Sequence, residues 1–354
     1  MFTTIRTIHL YILILAFSAL FSAGCSIVKK ESKTPTLLKT ENATLAQLKG
    51  EVGRFARVDS LRAKMDLKFE DNSFAHFGSK EEYRSADGEI VVQRPANILL
   101  KVQVPVIKSD VAQMTSDGSS FRVAILQDGG SGKYKKFVRG SNRADYSRLQ
   151  TTFADANGDE KVVESVTAFA NMRPQHFTDA MLVRPVDDSK VYAHSTIFQI
   201  EESIDQPKKS PLRVVNRGYY LLDEFERSVS GEMKIARRFW FDRVGRIRLA
   251  RQQLFNAAGE IESDILYGKE GNLAASGDYN NLPLQIIITR PLDKYSMRLT
   301  YQDPESVAIG RTYPQAAFLL ENSWSLEEID LDKRLAEATA GAGPIGTPPL
   351  TRVQ

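Results

Sequence analysis

The feature that most constrains this chain is an alternation of apolar and polar residues that recurs between residues 60 and 301. In its clearest instance, from Leu61 to Phe69, every second residue is apolar and the residues between are charged. Successive side chains of a β-strand point to opposite faces, so this alternation predicts a strand with one buried and one solvated face. Such strands are typical of antiparallel sheets, which can face water on one side.

The links between the later predicted strands are short. An Asp117-Gly118 turn separates the strand-like runs 110–115 and 120–126, and five further strands are predicted between residues 235 and 301. Links of this length force neighbouring strands to pair antiparallel. About ten strands in one open sheet are expected to curl.

An amphipathic helix is predicted ahead of the first strand. Thr44 and Gln47 have the spacing of a capping box, and apolar residues then recur at steps of three and four. These apolar residues are Leu45, Leu48, Val52 and Phe55.

The predicted fold class is therefore mainly β (α+β). We expect a large antiparallel curled sheet that forms an open half-barrel, with helices covering its concave face, in one domain over residues 43–330. A middle segment around residues 140–235 is expected to be an insertion, with a short helix beginning at Pro174. The Ala-, Gly-, Pro- and Thr-rich residues 331–354 are expected to be disordered.

The first 24 residues have the pattern of an export signal. Arg6 precedes an apolar run of 12 residues, Leu10 to Phe21, which is too short to span a bilayer. The following Ser-Ala-Gly-Cys resembles a bacterial lipobox and predicts lipid attachment at Cys25, with residues 25–42 as a flexible tether. The resemblance implies a cell-envelope protein anchored in the outer membrane and facing the periplasm. The alternative is an ordinary secretory signal with a cysteine placed there by chance.

Composition and motifs argue against several classes of function. In 354 residues, 47 Lys and Arg balance 44 Asp and Glu, so no nucleic-acid partner is indicated. The single cysteine excludes an internal disulfide, and His76, His176 and His194 have no metal-ligand spacing and are expected on the surface or at caps. Gly129 to Lys133 departs from a phosphate loop because Tyr134 follows. We therefore predict no catalytic residue, no metal, no cofactor and no enzymatic activity.

Two segments resemble the LolA/LolB lipoprotein-localisation family. Gly88 to Pro105, with its Arg94-Pro95 turn, is similar to that family's strand, Arg-Pro turn and following strand. Thr115 to Phe121 resembles its Ser-Asp-Gly hairpin, and the block 235–302 resembles its last hairpins. The resemblance implies an open β-barrel with a helical lid around an apolar cavity that holds acyl chains. It gives Arg94 the role of holding the lid closed.

The cavity candidates are apolar residues of the alternating strands. An incompletely filled curled sheet would leave an apolar hollow that accepts hydrocarbon. The alternative, which the pattern favours for any single residue, is that these residues simply fill the core. The candidates are Met65, Leu67, Phe69, Ile98, Leu100, Val102, Phe121, Val123 and Ile125.

The resemblance implies a membrane-anchored periplasmic protein that binds the acyl chains of lipids or lipoproteins and acts in lipoprotein localisation. The alternative is a structural or interaction lipoprotein of the envelope that uses this fold without lipid transfer and binds another envelope protein. For a hydrolase on the same scaffold the sequence shows no catalytic triad or metal site, and its structural sign would be a pair of acids with perturbed pKa values inside the hollow.

Overall fold

The computed structural model divides the chain into two compact units. Among the described residues, the smaller unit comprises residues 34–37 and 200–216, and the larger unit comprises those within 38–199 and 217–341. The predicted signal peptide, Cys25 and the loop at 129–133 lie outside the described residues. Described are residues 34–71, 81–82, 86–103, 109–127, 135–144, 146, 149, 173–228 and 231–341.

The first half of the sheet follows the predicted alternation. Asp117 accepts hydrogen bonds from the backbone N–H groups of Ser119 and Ser120, each at 2.8 Å, and Gly118 has φ +88°, so the predicted hairpin turn is confirmed. The strands of this half are β2 Ser60–Asp71, β3 Glu81–Glu82, β4 Ala86–Gln93, β5 Asn97–Gln103, β6 Asp110–Asp117, β7 Ser120–Ile125 and β8 Lys136–Ser141, and β1 Thr36–Leu37 precedes them.

The second half is a longer meander that begins inside the predicted insertion. Of that segment, residues 191–202 and 214–227 are strands of the sheet. The strands are β9 Val191–Glu202, β10 Val214–Arg227, β11 Met233–Asp242, β12 Arg248–Phe255, β13 Ile261–Leu273, β14 Tyr279–Arg290 and β15 Tyr295–Tyr301, followed by the short β16 Ala308–Ile309 and β17 Glu327–Asp330.

Pairing between β15 and β2 joins the two halves, with Leu299 opposite Leu67. From β10 the order runs through β15, then β2, β4 and on to β8, with every neighbouring pair antiparallel. The predicted antiparallel curled sheet is confirmed, and two short strands add parallel pairs to it: β17 pairs with β8, and β1 pairs with β10. The result is a curled, mixed sheet that stays unclosed.

The described part of the chain has three α-helices and two short 3₁₀ helices, Pro304–Ser306 and Gln315–Phe318. α1, Leu45–Ala56, begins at Thr44 with both hydrogen bonds of the predicted capping box and buries Leu48, Val52 and Phe55. α2 is Pro174–Met181, and α3 is Leu331–Gly341. None of the helices in the described part of the chain is both long and apolar enough to cross a membrane.

The prediction of a disordered tail from residue 331 is wrong for its first eleven residues, which form α3. Leu331 is fully buried, and Leu335 and Ala338 pack against the core. A leucine–alanine stripe at helical spacing thus outweighs the Ala- and Thr-rich composition on which the prediction depended. Residues 342–354 lie outside the described part.

Candidate functional site

The nine cavity candidates lie on one face of the sheet, here called the inner face. The registers place Ile98, Leu100 and Val102 of β5 opposite β4 residues that in turn oppose the alternating apolar residues of β2. Seven of the nine are buried in one apolar cluster, and Phe69 and Val102 are half-buried at its margin. The alternation therefore predicted correctly which side chains share a face.

α2 packs across this inner face. It contacts β4, β5 and β6 of the first half and β14 of the second. Its buried side chains include Phe177, Ala180 and Met181, which belong to the same apolar cluster as the sheet residues. We call residues 173–187, which comprise α2 and the chain that follows it, the α2 segment.

Arg94 lies where the turn after β4 meets the ends of two helices. Its guanidinium donates to the carbonyl oxygens of Leu182 and Val183, at 3.4 and 2.9 Å, and to that of Ala56 at 3.0 Å. Asp59 is 3.4 Å from Arg94 Nε. Burial lowers the pKa of Arg94, and Asp59 opposes that shift. One side chain of the β4–β5 turn thus binds the C-terminal ends of both α1 and α2.

Other carbonyls of the α2 segment bind side chains of the second half. Tyr267 of β13 donates to the carbonyl of Ala180 at 3.1 Å. Arg237 of β11 donates to the carbonyls of Arg184 and Pro185 at 2.9 and 3.0 Å. The last carbonyls of a helix have no partner within it, so the Tyr267 hydroxyl stabilises the end of a helix that is too short to be stable alone, and Arg237 binds the chain beyond that end.

Arg237 belongs to a line of polar residues across the inner face of β10 to β15, which we call the polar row. Leu254 of β12 lies within the line, between Arg237 and Ser263. Arg290 donates to Ser263 Oγ at 2.7 Å and to Asp293 at 2.8 Å. The members of the polar row are Glu224, Arg237, Ser263, Arg290 and Tyr295, all buried.

The α2 segment adds two titratable groups next to the polar row. His176 is buried against the hydroxyl of Tyr295, so the expectation of a surface or cap histidine is wrong. Burial, then the charges of Arg290 and Arg173, hold the pKa of His176 well below its ordinary value. Burial raises the pKa of Asp179 to about 6. Within the described part of the chain, no group of three His, Cys, Asp or Glu side chains could hold a metal ion.

Arg94 was predicted from the sequence, whereas Arg237 and Glu224 were not. Arg237 lies in phase with Phe239 and Phe241, and Glu224 lies in phase with Leu222. A charged residue at an apolar position of the alternation, on each of two neighbouring strands, is the signal that could have identified the pair.

Comparison with known proteins gives similarities at the level of solved structures. No protein-family model matches the chain, and no curated protein matches it. A DUF1329 family protein from Desulfovibrio piger is 9% identical with a TM-score of 0.39, over 78% of this chain and 96% of that one. A protein named as an outer membrane lipoprotein-sorting protein domain from Vibrio parahaemolyticus is 10% identical with a TM-score of 0.35, over 77% and 94%.

A third structure carries the family name that the sequence motifs suggested. It is the LolA superfamily protein NE2245 from Nitrosomonas europaea, which is 14% identical to this chain with a TM-score of 0.39, over 78% of this chain and 99% of that one. At these identities and scores, what the chain does has to be argued from its own residues. The similarity of this chain to LolA superfamily structures is one of fold alone.

Proposed function

We propose that this chain binds acyl chains between the inner face of its sheet and the α2 segment, and that it acts in lipoprotein localisation in the cell envelope. The α2 segment is the lid of the binding site, and Arg94 holds it closed. The observation that carries the proposal is the binding of one guanidinium to backbone carbonyls at the ends of both helices that cover the inner face.

The character of the covered surface supports a hydrocarbon ligand. On the first half of the sheet, the residues beneath the helices form three neighbouring rows from β2 to β7, which are apolar except for Gly88 and the buried Ser116. When the α2 segment moves away, this surface needs another apolar partner. A C16 acyl chain has about 15 CH₂ groups, and at ~0.8 kcal/mol each their transfer from water is worth roughly 12 kcal/mol.

Arg94 is suited to the role of a lid residue because its bonds to the lid go to backbone carbonyls. Those bonds can break and re-form without any change in the apolar residues that would contact an acyl chain. A modest free-energy difference then suffices for cargo to pass to the next acceptor, because ~1.4 kcal/mol shifts an equilibrium tenfold.

The membrane anchor of the proposal is Cys25, acylated after removal of residues 1–24. Two or three acyl chains on this residue would hold the chain stably at the outer membrane, on its periplasmic side. A mass spectrum of the mature protein tests this part separately, and an unmodified Cys25 would contradict it.

Lipid extraction and binding test the main proposal. Organic extraction of the mature chain, followed by mass spectrometry, should release lipid, and a fluorescent C16 fatty acid and a tripalmitoylated lipopeptide should bind saturably. A folded protein that yields no lipid and binds neither probe would refute acyl binding, and would favour a structural lipoprotein that uses the same fold.

The variant Arg94→Leu tests the lid. It should fold, bind the fatty acid and release it about tenfold faster, because three hydrogen bonds to helix-end carbonyls are lost. Arg122→Leu is the matched control, since Arg122 also donates to a backbone carbonyl, that of Leu320 at 3.2 Å, without contacting the α2 segment. Equal release rates for the wild type and Arg94→Leu would remove Arg94 from the mechanism.

A further inference from the structure

A second guanidinium holds the α2 segment from the other half of the sheet. Arg237 is 3% exposed and donates to the carbonyls of Arg184 and Pro185. Arg94 binds the two preceding carbonyls, those of Leu182 and Val183. Four consecutive carbonyls are thus bound by two arginines, one from the β4–β5 turn and one from β11.

Glu224 determines where the Arg237 guanidinium lies. The two residues are directly opposite each other on β10 and β11, and both oxygens of the Glu224 carboxylate accept from Arg237, with Nε to Oε1 at 2.8 Å. A two-bond arginine–carboxylate pair fixes the plane of the guanidinium. The remaining N–H groups then point at the carbonyls of Arg184 and Pro185.

Tyr192 completes the arrangement from β9. Its hydroxyl is 2.7 Å from Glu224 Oε2 and 3.1 Å from the backbone N–H of Asp187, which donates to it. Burial and the bond to Glu224 raise the pKa of Tyr192, so the hydroxyl stays protonated. Lys49 of α1 lies 4.5 Å from the centre of the Tyr192 ring. The group therefore contacts both α1 and the α2 segment.

Apolar residues could occupy the positions of Glu224 and Arg237 in the sheet. Leu222 and Phe239, the next inner-face residues on β10 and β11, are fully buried in the apolar cluster. A buried ion pair adds little stability over apolar packing, because both charges lose their hydration. The pair instead places hydrogen-bond donors at fixed positions, where they bind the backbone carbonyls of the α2 segment.

We propose that Arg237 is a second positioning residue of the lid, with Glu224 and Tyr192 holding its guanidinium in place. Through the four carbonyls of residues 182–185, the closed lid connects the two halves of the sheet. The lid opens fully only when both arginines release it. The inference rests on the proposed function in calling the α2 segment a lid, but the closure of this segment over the sheet exists without any ligand.

Hydrogen exchange on the full mature chain, without ligand, tests the proposal. Arg237→Met should raise the exchange rates of amides in residues 174–187 about tenfold more than those of amides in β2 to β7, whose rates rise only with the loss of global stability. The double variant with Arg94→Leu should open the α2 segment by more than the product of the two single effects, because each arginine alone keeps it partly attached.

Arg243→Met is the matched control. Arg243 is also a buried arginine, and it donates to a backbone carbonyl, that of Glu41 at 2.8 Å, outside the α2 segment. It should leave exchange in residues 174–187 unchanged. Wild-type exchange there in Arg237→Met, or an equal rise in Arg243→Met, would overturn the proposal.

Glu224→Gln keeps the test usable where Arg237→Met does not fold. It retains an acceptor for Arg237 and removes the charge, so a smaller rise in exchange is expected in the same residues, and no rise would count against the proposal. Release of the fluorescent fatty acid is measured separately. A protein that shows the exchange pattern but binds no fatty acid contradicts acyl binding and leaves the second positioning residue standing.

Discussion

The two halves of the sheet present different inner faces to the same α2 segment. On β4, β5 and β7 the inward side chains are apolar, as with Ile90, Leu100 and Val123. On β10 to β15 the polar row crosses the inner face, and apolar residues such as Leu222 and Phe239 lie beside it on the same strands. An apolar face stabilises a covering helix in proportion to the area that it buries, and this does not fix the position of the helix. The polar row, in contrast, binds particular carbonyls at 2.9 to 3.0 Å. We infer that the first half is the surface for acyl chains and that the second half determines where the lid lies.

The largest expected effect is on the apolar half. Phe121 is fully buried, lies edge to face with Tyr146, and fills the space over Gly140. Phe121→Ala should lower the free energy of unfolding by about 3–5 kcal/mol, through lost burial and the cavity left behind.

Urea denaturation of the wild type and the variant measures that loss. Added fatty acid should recover part of it if the new space admits hydrocarbon next to the binding surface. A loss below ~1 kcal/mol without ligand would mean that this part of the inner face is not tightly packed, and the contrast between the halves would weaken.

Most of the sheet could be predicted from the sequence, and the reason is physical. Where one face is buried and the other solvated, as from Leu61 to Phe69, alternation alone determines register and face. Alternation did not predict β17, because a four-residue strand with a parallel partner has no short link to indicate its neighbour.

The candidate site divides in the same way. Arg94 was found through a resemblance, since a lone arginine before a proline has no periodic signal of its own. Arg237 interrupts the apolar phase of β11, and its role depends on Glu224, which lies 13 residues away. That partner becomes visible only when the register of β10 and β11 is known.

A pH dependence should sharpen the account of the polar half. Burial raises the pKa of Asp179 from 3.8 to about 6, Arg184, Arg290 and Arg237 oppose the rise, and Glu262 adds to it. Because the folded pKa is the higher one, the folded state binds the proton more tightly than the unfolded state. Asp179 therefore does not lower the free energy of unfolding below pH ~3.8. The loss of stability that it causes grows as the pH rises and is complete above pH ~6.

Asp179→Asn removes the charge that causes this cost. At pH 7.5 the variant should be more stable than the wild type by about 1–3 kcal/mol, with ~1.4 kcal/mol for each unit of pKa shift, and the difference should vanish near pH 4. Thermal unfolding across pH 4 to 8 provides the measurement. A constant difference in stability between the two proteins over that range would show that ionisation of Asp179 does not destabilise the fold.

The smallest expected change in stability comes from replacing both members of the buried ion pair. Arg237→Met alone leaves the Glu224 charge buried without its partner and should cost about 3–5 kcal/mol. With Glu224→Met added, two apolar side chains lie opposite each other on β10 and β11, next to Leu222 and Phe239. The double variant should return to within about 2 kcal/mol of the wild type in urea denaturation.

The same double variant separates stability from closure. Recovery of stability cannot restore donors to the carbonyls of Arg184 and Pro185, so hydrogen exchange in residues 174–187 should stay fast. If exchange recovers together with stability, the ion pair acts through packing alone, and the two halves of the inner face differ in composition but not in role. If exchange stays fast in a stable protein, the polar half is what positions the α2 segment.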